Sequence, residues 1–181
     1  MASLGRTSNS PVEIRRVGID HYSNVRYLHI TSMTAQSFDA LSETEVAAFA
    51  AFVRSSAYVD ALVEEEVYGA LVDGQLIGTA SWQFNGDDGH TARISSVFVD
   101  PLFCRLGIGR TLLAEVEGRA FASGFGQLGT SVTINAVPFF ERQGYREASR
   151  GVKSLGPGCS LPVVFMRKSV PRLIRTPDTA H

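Results

Sequence analysis

The feature that most constrains the fold is a set of three strand-like segments, the first two joined by Asp73-Gly74. The stretch "VYGALVDGQLIGTASWQF" places this dipeptide between two β-rich runs, the strongest short-range signal of a hairpin. A polar break, "NGDDGH", then leads into "TARISSVFVD". The three segments predict an antiparallel meander.

An amphipathic helix is predicted directly after the meander, in "GIGRTLLAEVEGRAFASG". Glu115 lies four residues before Arg119, the spacing of a supporting ion pair on a helix surface. The apolar positions share one helix face, which we expect to be buried. They are Ile108, Leu112, Leu113, Val116 and Ala120.

Weaker patterns place the other elements and the domain limits. They predict a first strand (12–17), a helix (about 20–26), and a helical region that begins with a capping box of Ser42 and Glu45. A strand "QLGTSVT", a helix "NAVPFFERQ" and two strands joined across "GPGC" complete the chain. The expected order is β-α-α-β-β-β-α-β-α-β-β. This is a mixed α/β sheet in one domain (12–169), with a flexible N-terminal arm (1–11) and C-terminal tail (170–181).

Composition excludes several classes of protein. The 181 residues carry 17 Lys and Arg against 18 Asp and Glu, a net charge of −1. No global field therefore attracts nucleic acid or an anionic membrane, and any anion must be bound locally. The chain shows neither a signal-peptide pattern nor an apolar run of about 18 residues, and it has only two cysteines, Cys104 and Cys159. We therefore expect a cytoplasmic protein without disulfides.

The loop "PLFCRLGIGRTLL" is the main candidate for anion binding. Gly107 and Gly109 remove side chains at a strand-to-helix turn, where free N–H groups at the positive helix end suit a diphosphate. A Walker loop would need Lys-Ser/Thr after its last glycine, where Arg110-Thr111 stands, and a Rossmann fingerprint would need glycine at Leu112. Both are excluded. A plain turn that favours glycine remains an alternative for this loop taken alone.

Two motifs together resemble the GNAT superfamily of acetyl-CoA-dependent N-acetyltransferases. "VFVDPLFCRLGIGRTLL" is similar to that family's strand, proline and Gln/Arg-x-x-Gly-x-Gly/Ala pattern at a helix start. "NAVPFFERQGYRE" is similar to its Asn-Ala…Phe-Tyr-Glu-x-x-Gly-Phe signature. One helix and one strand separate the motifs, as in the family. The resemblance implies a GNAT fold, a mostly antiparallel sheet splayed between strands 4 and 5.

The resemblance also implies where acetyl-CoA, the co-substrate, would lie. The backbone of Val97, Phe98 and Val99 would pair with the pantetheine arm, which Asn135 would contact from the far side. Phe140 stands where many members have a tyrosine that protonates the leaving thiolate. The segment that would wrap the pyrophosphate comprises Cys104, Arg105, Leu106, Gly107, Ile108, Gly109 and Arg110. No metal is implied.

The catalytic residues are not assigned by the sequence. An amine attacks a thioester only as the free base, so some group must take a proton. Glu64, Glu65 and Glu66 precede the second strand, but a run of charges usually forms a solvated face. Ser95 and Ser96 interrupt an apolar strand, where they suit ordering a water near the thioester.

Cys104 replaces the family's Gln or Arg, and we interpret it as structural because nothing near it in sequence marks a base. Phe140 has no proton to give. Three possibilities follow: the thiolate leaves unassisted, Ser131 or Thr133 relays a proton through water, or the domain binds CoA without turning it over.

The expected function is transfer of an acetyl group from acetyl-CoA to a primary amine of a small molecule or peptide, by direct attack in a ternary complex. The main alternative is a GNAT-like module that binds CoA to sense or regulate. An acyl donor other than acetyl would need a wider slot beside Val97, Ser131 and Phe140. The amine acceptor is the expected partner, neither nucleic acid nor membrane is expected, and a homodimer stays open.

Overall fold

The helices and strands follow the predicted order, with one helix added. The computed structural model describes residues 10–84 and 89–169, and the predicted tail and residues 1–9 of the predicted arm lie outside them. The elements are β1 (Glu13–Arg16), α1 (Tyr22–Gln36), α2 (Glu43–Arg54), α3 (Ser56–Val63), β2 (Glu66–Val72), β3 (Gln75–Phe84), β4 (Thr91–Val99), α4 (Ile108–Ala122), β5 (Gln127–Val132), α5 (Val137–Arg142), β6 (Arg146–Gly156) and β7 (Cys159–Ser169).

One mixed sheet organises these elements. The described strands run in the order β1-β2-β3-β4-β5-β7-β6, and every neighbouring pair is antiparallel except β4 and β5. The hairpin at Asp73-Gly74 is confirmed: β2 pairs with β3 around it, and the two residues have φ of 50° and 79°. Two positive φ values in a two-residue loop match the twist of the flanking strands.

Strands β4 and β5 separate soon after they begin. Their parallel pairing covers only Thr91–Arg93 against Gln127–Gly129. The remaining residues of β4 pair with β3 alone, while β5 continues along β7. The predicted splay is therefore present, and it opens a gap in the middle of the sheet.

The two faces of the sheet carry separate hydrophobic cores. On one face, α4 packs its predicted apolar stripe, and all five of those residues are buried. On the other face, α1, α2 and α3 pack Val25, Leu28, Val53 and Leu62 against β2, β3 and β7. The predicted ion pair on α4 is also present, with 2.9 Å between Arg119 Nε and Glu115 Oε1.

Helix α1 continues to Gln36, well beyond the predicted end near residue 26. Its second half carries Thr31, Ser32 and Thr34, which are poor helix formers. The Thr31 and Thr34 hydroxyls donate to carbonyls four residues earlier, and the buried face of the helix supplies the packing that propensity lacks.

The second helical region is two helices rather than the single one predicted. The capping box of Ser42 and Glu45 is confirmed at the start of α2. Ser55 then ends α2 in extended conformation and accepts from Tyr58 N, so it caps α3. In the described part of the chain no single helix is long and apolar enough to cross a membrane. Helices α2 and α3 pass that test together, but they are bent by 67°.

Candidate active site

A cavity of about 830 Å³ lies in the gap between β4 and β5. Helices α2 and α3 line one side, and the β6–β7 hairpin lines the other. Three of the predicted site residues, Val97, Phe98 and Phe140, line it, as do Ser131 and Thr133.

The wall of this cavity contains a bulge in β4. The register with β3 shifts between Thr79 and Ser81, and Ser96 has a φ of 53°, in the left-handed region. Successive side chains of a regular strand point to opposite faces. The bulge overrides this alternation, so that the neighbouring Ser95 and Ser96 side chains reach the same carboxylate.

That carboxylate belongs to Glu65, at the junction of α3 and β2. It accepts hydrogen bonds from Ser81 Oγ at 2.5 Å, Ser95 Oγ at 2.9 Å and Ser96 Oγ at 3.1 Å. Glu65 also lines the cavity. Hydrogen bonds from three hydroxyls orient a carboxylate and satisfy part of its acceptor capacity, leaving further lone pairs for a ligand or water.

The interpretation of residues 64–66 as a solvated face holds only for Glu64, which is exposed. It is wrong for Glu65, and also for Glu66, which accepts from Trp82 Nε1 at 3.2 Å. A run of identical charges gives no signal for which member meets a hydroxyl cluster, because the partners are set by strand register. The interrupting serines of β4 were the one available hint.

A chain of buried hydrogen bonds supports the bulge from behind. Thr79 Oγ1 donates to the Ser96 carbonyl at 2.7 Å, so it must accept from His29 Nε2 at 2.8 Å. His29 Nδ1 then accepts from the Tyr58 hydroxyl at 2.6 Å. Burial is the cause that lowers the pKa of His29 to about 3, which keeps this ring neutral. Sequence reasoning missed His29 and Tyr58 because both lie within helices without any motif.

The strand residues predicted to bind the pantetheine arm, Val97, Phe98 and Val99, lie at the C-terminal end of β4. The Phe98 ring packs against His29, with 4.3 Å between ring centroids. The Val99 carbonyl accepts from Ser32 Oγ at 2.9 Å and from Gln36 Nε2 at 2.8 Å. This end of β4 is therefore held by α1.

The segment predicted to wrap the pyrophosphate (104–110), called the glycine loop below, leads into the first turn of α4, as predicted. Gly107 has a φ of 82° and occupies the N-cap position without a side-chain cap. The first N–H groups of the helix therefore lack a capping side chain. Ile108 is buried, whereas Arg105, Leu106 and Arg110 are exposed. At Gly109, an added Cβ would meet Val99 and the Phe139 ring at 3.5 Å, an ordinary van der Waals contact, so this glycine faces the end of β4 and α5.

Gln36, at the end of α1, contacts two other predicted site residues, Cys104 and Asn135. Its side-chain nitrogen lies 3.6 Å from Cys104 Sγ, and its carbonyl accepts from Asn135 Nδ2 at 2.7 Å. Burial is the larger cause that raises the pKa of the Cys104 thiol, and Asp100 adds to it. A thiol with a raised pKa is a poor nucleophile at neutral pH, which agrees with a structural role.

Phe140 is 3% exposed and lies where α5 meets the cavity. Its ring packs edge-on against Phe139 and Tyr145, with 5.2 Å between centroids in both pairs. It contributes no hydroxyl to the site. No cluster of three metal-ligating side chains occurs within residues 10–84 and 89–169.

Comparison with known proteins identifies the family. The model of the acetyltransferase (GNAT) family matches residues 27–145, more than half of the chain. The chain belongs to the GNAT family. The match runs from within α1 to the residue before β6, so it includes the splayed strands, the glycine loop and α5 of this GNAT domain.

Solved structures of other GNAT proteins resemble it. A GCN5-related N-acetyltransferase from Rhodopseudomonas palustris is 25% identical, with a TM-score of 0.79 over 92% of this chain and 100% of its own. The PaiA N-acetyltransferase from Thermoplasma acidophilum, in complex with coenzyme A, is 17% identical, with a TM-score of 0.66 over 88% and 99%.

An N-acetylglutamate synthase from Neisseria gonorrhoeae, complexed with coenzyme A and N-acetyl-glutamate, is 20% identical. It has a TM-score of 0.64 over 91% of this chain and 36% of its own. At these identities the second and third likenesses show the GNAT fold alone. The comparison with curated proteins finds no match for the sequence.

Proposed function

We propose that this GNAT protein transfers the acetyl group of acetyl-CoA to a primary amine, with Glu65 as the general base. The observation that carries the proposal is the Glu65 carboxylate, which lines the cavity and is oriented by three serine hydroxyls beside the bulge of β4. A general base must lie within hydrogen-bond reach of the proton it takes, directly or through one water.

The co-substrate would lie along the residues that the motifs indicate. The pyrophosphate suits the N–H groups of the glycine loop, because Gly107 and Gly109 present no side chain there and the positive end of α4 favours an anion. The pantetheine arm would lie beside Val97, Phe98 and Val99. The side-chain nitrogen of Asn135 already donates to the backbone carbonyl of Gln36. The side-chain oxygen of Asn135 therefore remains to accept from an amide N–H of that arm.

The reaction needs a base because an amine attacks only in its neutral form. For a lysine-like amine of pKa about 10.4, deprotonation at pH 7 costs about 4.6 kcal/mol. In the proposed step the amine nitrogen bonds to the thioester carbonyl carbon and gives its proton to Glu65. The carbon–sulfur bond then breaks, and the thiolate of CoA leaves and takes up a proton. A backbone N–H of the bulged segment of β4, where the register with β3 shifts, would suit the transient oxyanion.

The proton for the thiolate needs a source other than residue 140. Phe140 has no hydroxyl, whereas Ser131 and Thr133 line the cavity from the next strand and the residue after it. We propose that one of these hydroxyls relays a proton through water. The competing function, a module that binds CoA without catalysis, is favoured by Phe140 alone.

Binding and turnover are tested separately. A ligand that binds only the native state stabilises it and so raises its melting temperature. At a ligand concentration of 100 times the dissociation constant, the free energy of unfolding rises by about 2.7 kcal/mol. We expect acetyl-CoA and CoA to raise it and ATP to do far less. Equal shifts with ATP would leave only a general anion site and contradict the proposed slot.

Turnover is read as release of CoA over a panel of polyamines, aminoglycosides, amino acids and peptide N-termini. We expect at least one amine to release CoA, with an acetylated product of the matching mass. Tight binding of CoA without release for any amine would overturn the enzyme assignment and support the sensing module. Parallel reactions with propionyl-CoA and succinyl-CoA test whether another acyl group is preferred.

A further inference from the structure

The cavity carries an excess of positive charge that the proposed reaction does not use. Glu65 is the one carboxylate among the described residues that line it, whereas Arg93, Lys153 and Arg167 line it as well. The salt bridges of the described chain involve other cations, namely Arg15, Arg119, Arg150 and Lys168. Within residues 10–84 and 89–169, none of the three cations of the cavity therefore forms a salt bridge to a carboxylate.

Lys153 is the cation whose surroundings are most unusual. It lies on β6, opposite the wall that carries Glu65, and its side chain is exposed to solvent at the mouth of the open cleft. Crowding by protein is nevertheless the main cause that lowers its pKa, and the charge of Arg93 lowers it further, while Glu65 opposes both. Lys153 therefore lines the cavity within electrostatic range of both Arg93 and Glu65.

Arg93 lies on the same side of the sheet as the Glu65 cluster. Its register partner on the neighbouring strand β3 is Gln83, just as Ser81 of β3 lies opposite Ser95. Arg93 and Ser95 are two residues apart on one strand, so their side chains share a face. The cavity therefore presents a carboxylate at the bulge, with Arg93 on the same wall and Lys153 on the facing hairpin.

We infer that the acceptor carries an anionic group, a carboxylate or a phosphate, in addition to its reacting amine, and that Lys153, together with Arg93, binds this group. The amine would lie at Glu65 and the anion at the cations, so that one small molecule satisfies both ends of the cavity. An anion there also removes the unfavourable pairing of two like charges. This inference rests on the proposed acetyl transfer.

The test compares amines that differ only in the anion. Alkylamines of two to six carbons are assayed beside the amino carboxylates and aminoalkyl phosphates of the same chain length, with release of CoA as the readout. We expect kcat/KM to be at least about 10-fold higher for one of the anionic series, as for a charge-assisted contact in a partly enclosed site. The better series distinguishes carboxylate from phosphate.

The variant Lys153→Met should erase this preference by raising KM for the anionic amine much more than for the alkylamine that carries no anion. Arg150→Met is the matched control, because Arg150 lies on the same strand, pairs with Glu147 at 2.7 Å and is not part of the cavity wall. It should keep the preference. Equal use of both series by the parent protein, or a preference that survives Lys153→Met, would overturn the inference.

The same compounds are also measured by thermal shift in the presence of CoA, which reads binding without turnover. If no amine releases CoA, the proposed function fails, but stabilisation by the anionic series that is lost in Lys153→Met still supports the anion site. Absence of both turnover and stabilisation overturns the inference as well.

Discussion

The burial of His29 makes the stability of the protein depend on pH. In the folded protein its pKa is lowered by burial to about 3, whereas an unfolded histidine has a pKa of about 6.5. Between these values the unfolded chain binds a proton that the folded chain does not. Stability therefore falls as the pH drops below about 6.5, by up to about 1.4 kcal/mol per pH unit from this group.

The first prediction follows from this difference in proton uptake. Urea unfolding between pH 7.5 and 4.5 should show this loss of stability. In His29→Gln, the slope of the unfolding free energy against pH should decrease by the equivalent of about one bound proton, and the overall stability should be lower. The slope is informative even if the variant is less stable. An unchanged slope in His29→Gln would mean that His29 is not buried in neutral form.

The second prediction concerns Phe140. Phe140→Tyr adds one hydroxyl to a side chain that lines the cavity, and we expect it to raise kcat, but by well under the 10²-fold of a fully optimised acid. Phe140→Leu should stay close to the parent in rate, since neither ring nor leucine offers a proton. Identical turnover in Phe140→Tyr and the parent would indicate that another group already protonates the thiolate.

Among the elements, the start of α4 carries the third prediction. Gly109→Val should weaken CoA binding, measured by calorimetry, because the branched methyl groups extend beyond a Cβ that already contacts Val99 and the Phe139 ring at 3.5 Å, and so displace the start of α4. Gly118→Val is the control, since it lies on the same helix where an added Cβ meets nothing within 4 Å. Equal affinity in both variants would reduce the glycine loop to a simple turn.

Elements were predictable where the signal was local. Asp73-Gly74 specifies its hairpin through turn chemistry, and Ser42 with Glu45 specifies a helix start through two reciprocal hydrogen bonds. The break between α2 and α3 was missed because Ser55 sits inside a long apolar helical pattern, although a serine is also a good cap. The splay of β4 from β5 came only from the family resemblance.

The cluster of serine hydroxyls around Glu65 was less accessible to prediction. Glu65, Ser81 and Ser96 come from three separate strands or junctions, and they meet because the register of β3 and the bulge of β4 bring them together. Local patterns carry no record of such a register. The glycine loop and the buried face of α4 were predictable because each lies within one continuous segment.

At the scale of the whole molecule, a largely buried ion pair joins β7 to helix α4. Lys168 Nζ on β7 lies 2.7 Å from Glu117 Oε2 on α4, and both side chains are largely buried. Glu117 Oε1 has no hydrogen-bond partner among the described residues. Removing the lysine would therefore leave a buried carboxylate with no cation.

The fourth prediction is that Lys168→Met lowers the free energy of unfolding by about 1–3 kcal/mol, measured by urea denaturation. Arg150→Met, which removes an exposed pair on the neighbouring strand, should change it little. The double variant Lys168→Met with Glu117→Leu should recover much of the loss. No recovery would mean that the lysine stabilises by packing rather than by its charge.

The central claim is that Glu65 takes the proton of the attacking amine, and one kinetic comparison tests it most directly. With the best acceptor at pH 7, Glu65→Gln should lower kcat by about 10²-fold or more while acetyl-CoA binds as in the parent. The deficit should narrow as the pH rises and the free amine accumulates. Glu64→Gln, at the exposed neighbouring position, should match the parent. Turnover by Glu65→Gln equal to that of Glu64→Gln at pH 7 would contradict the account.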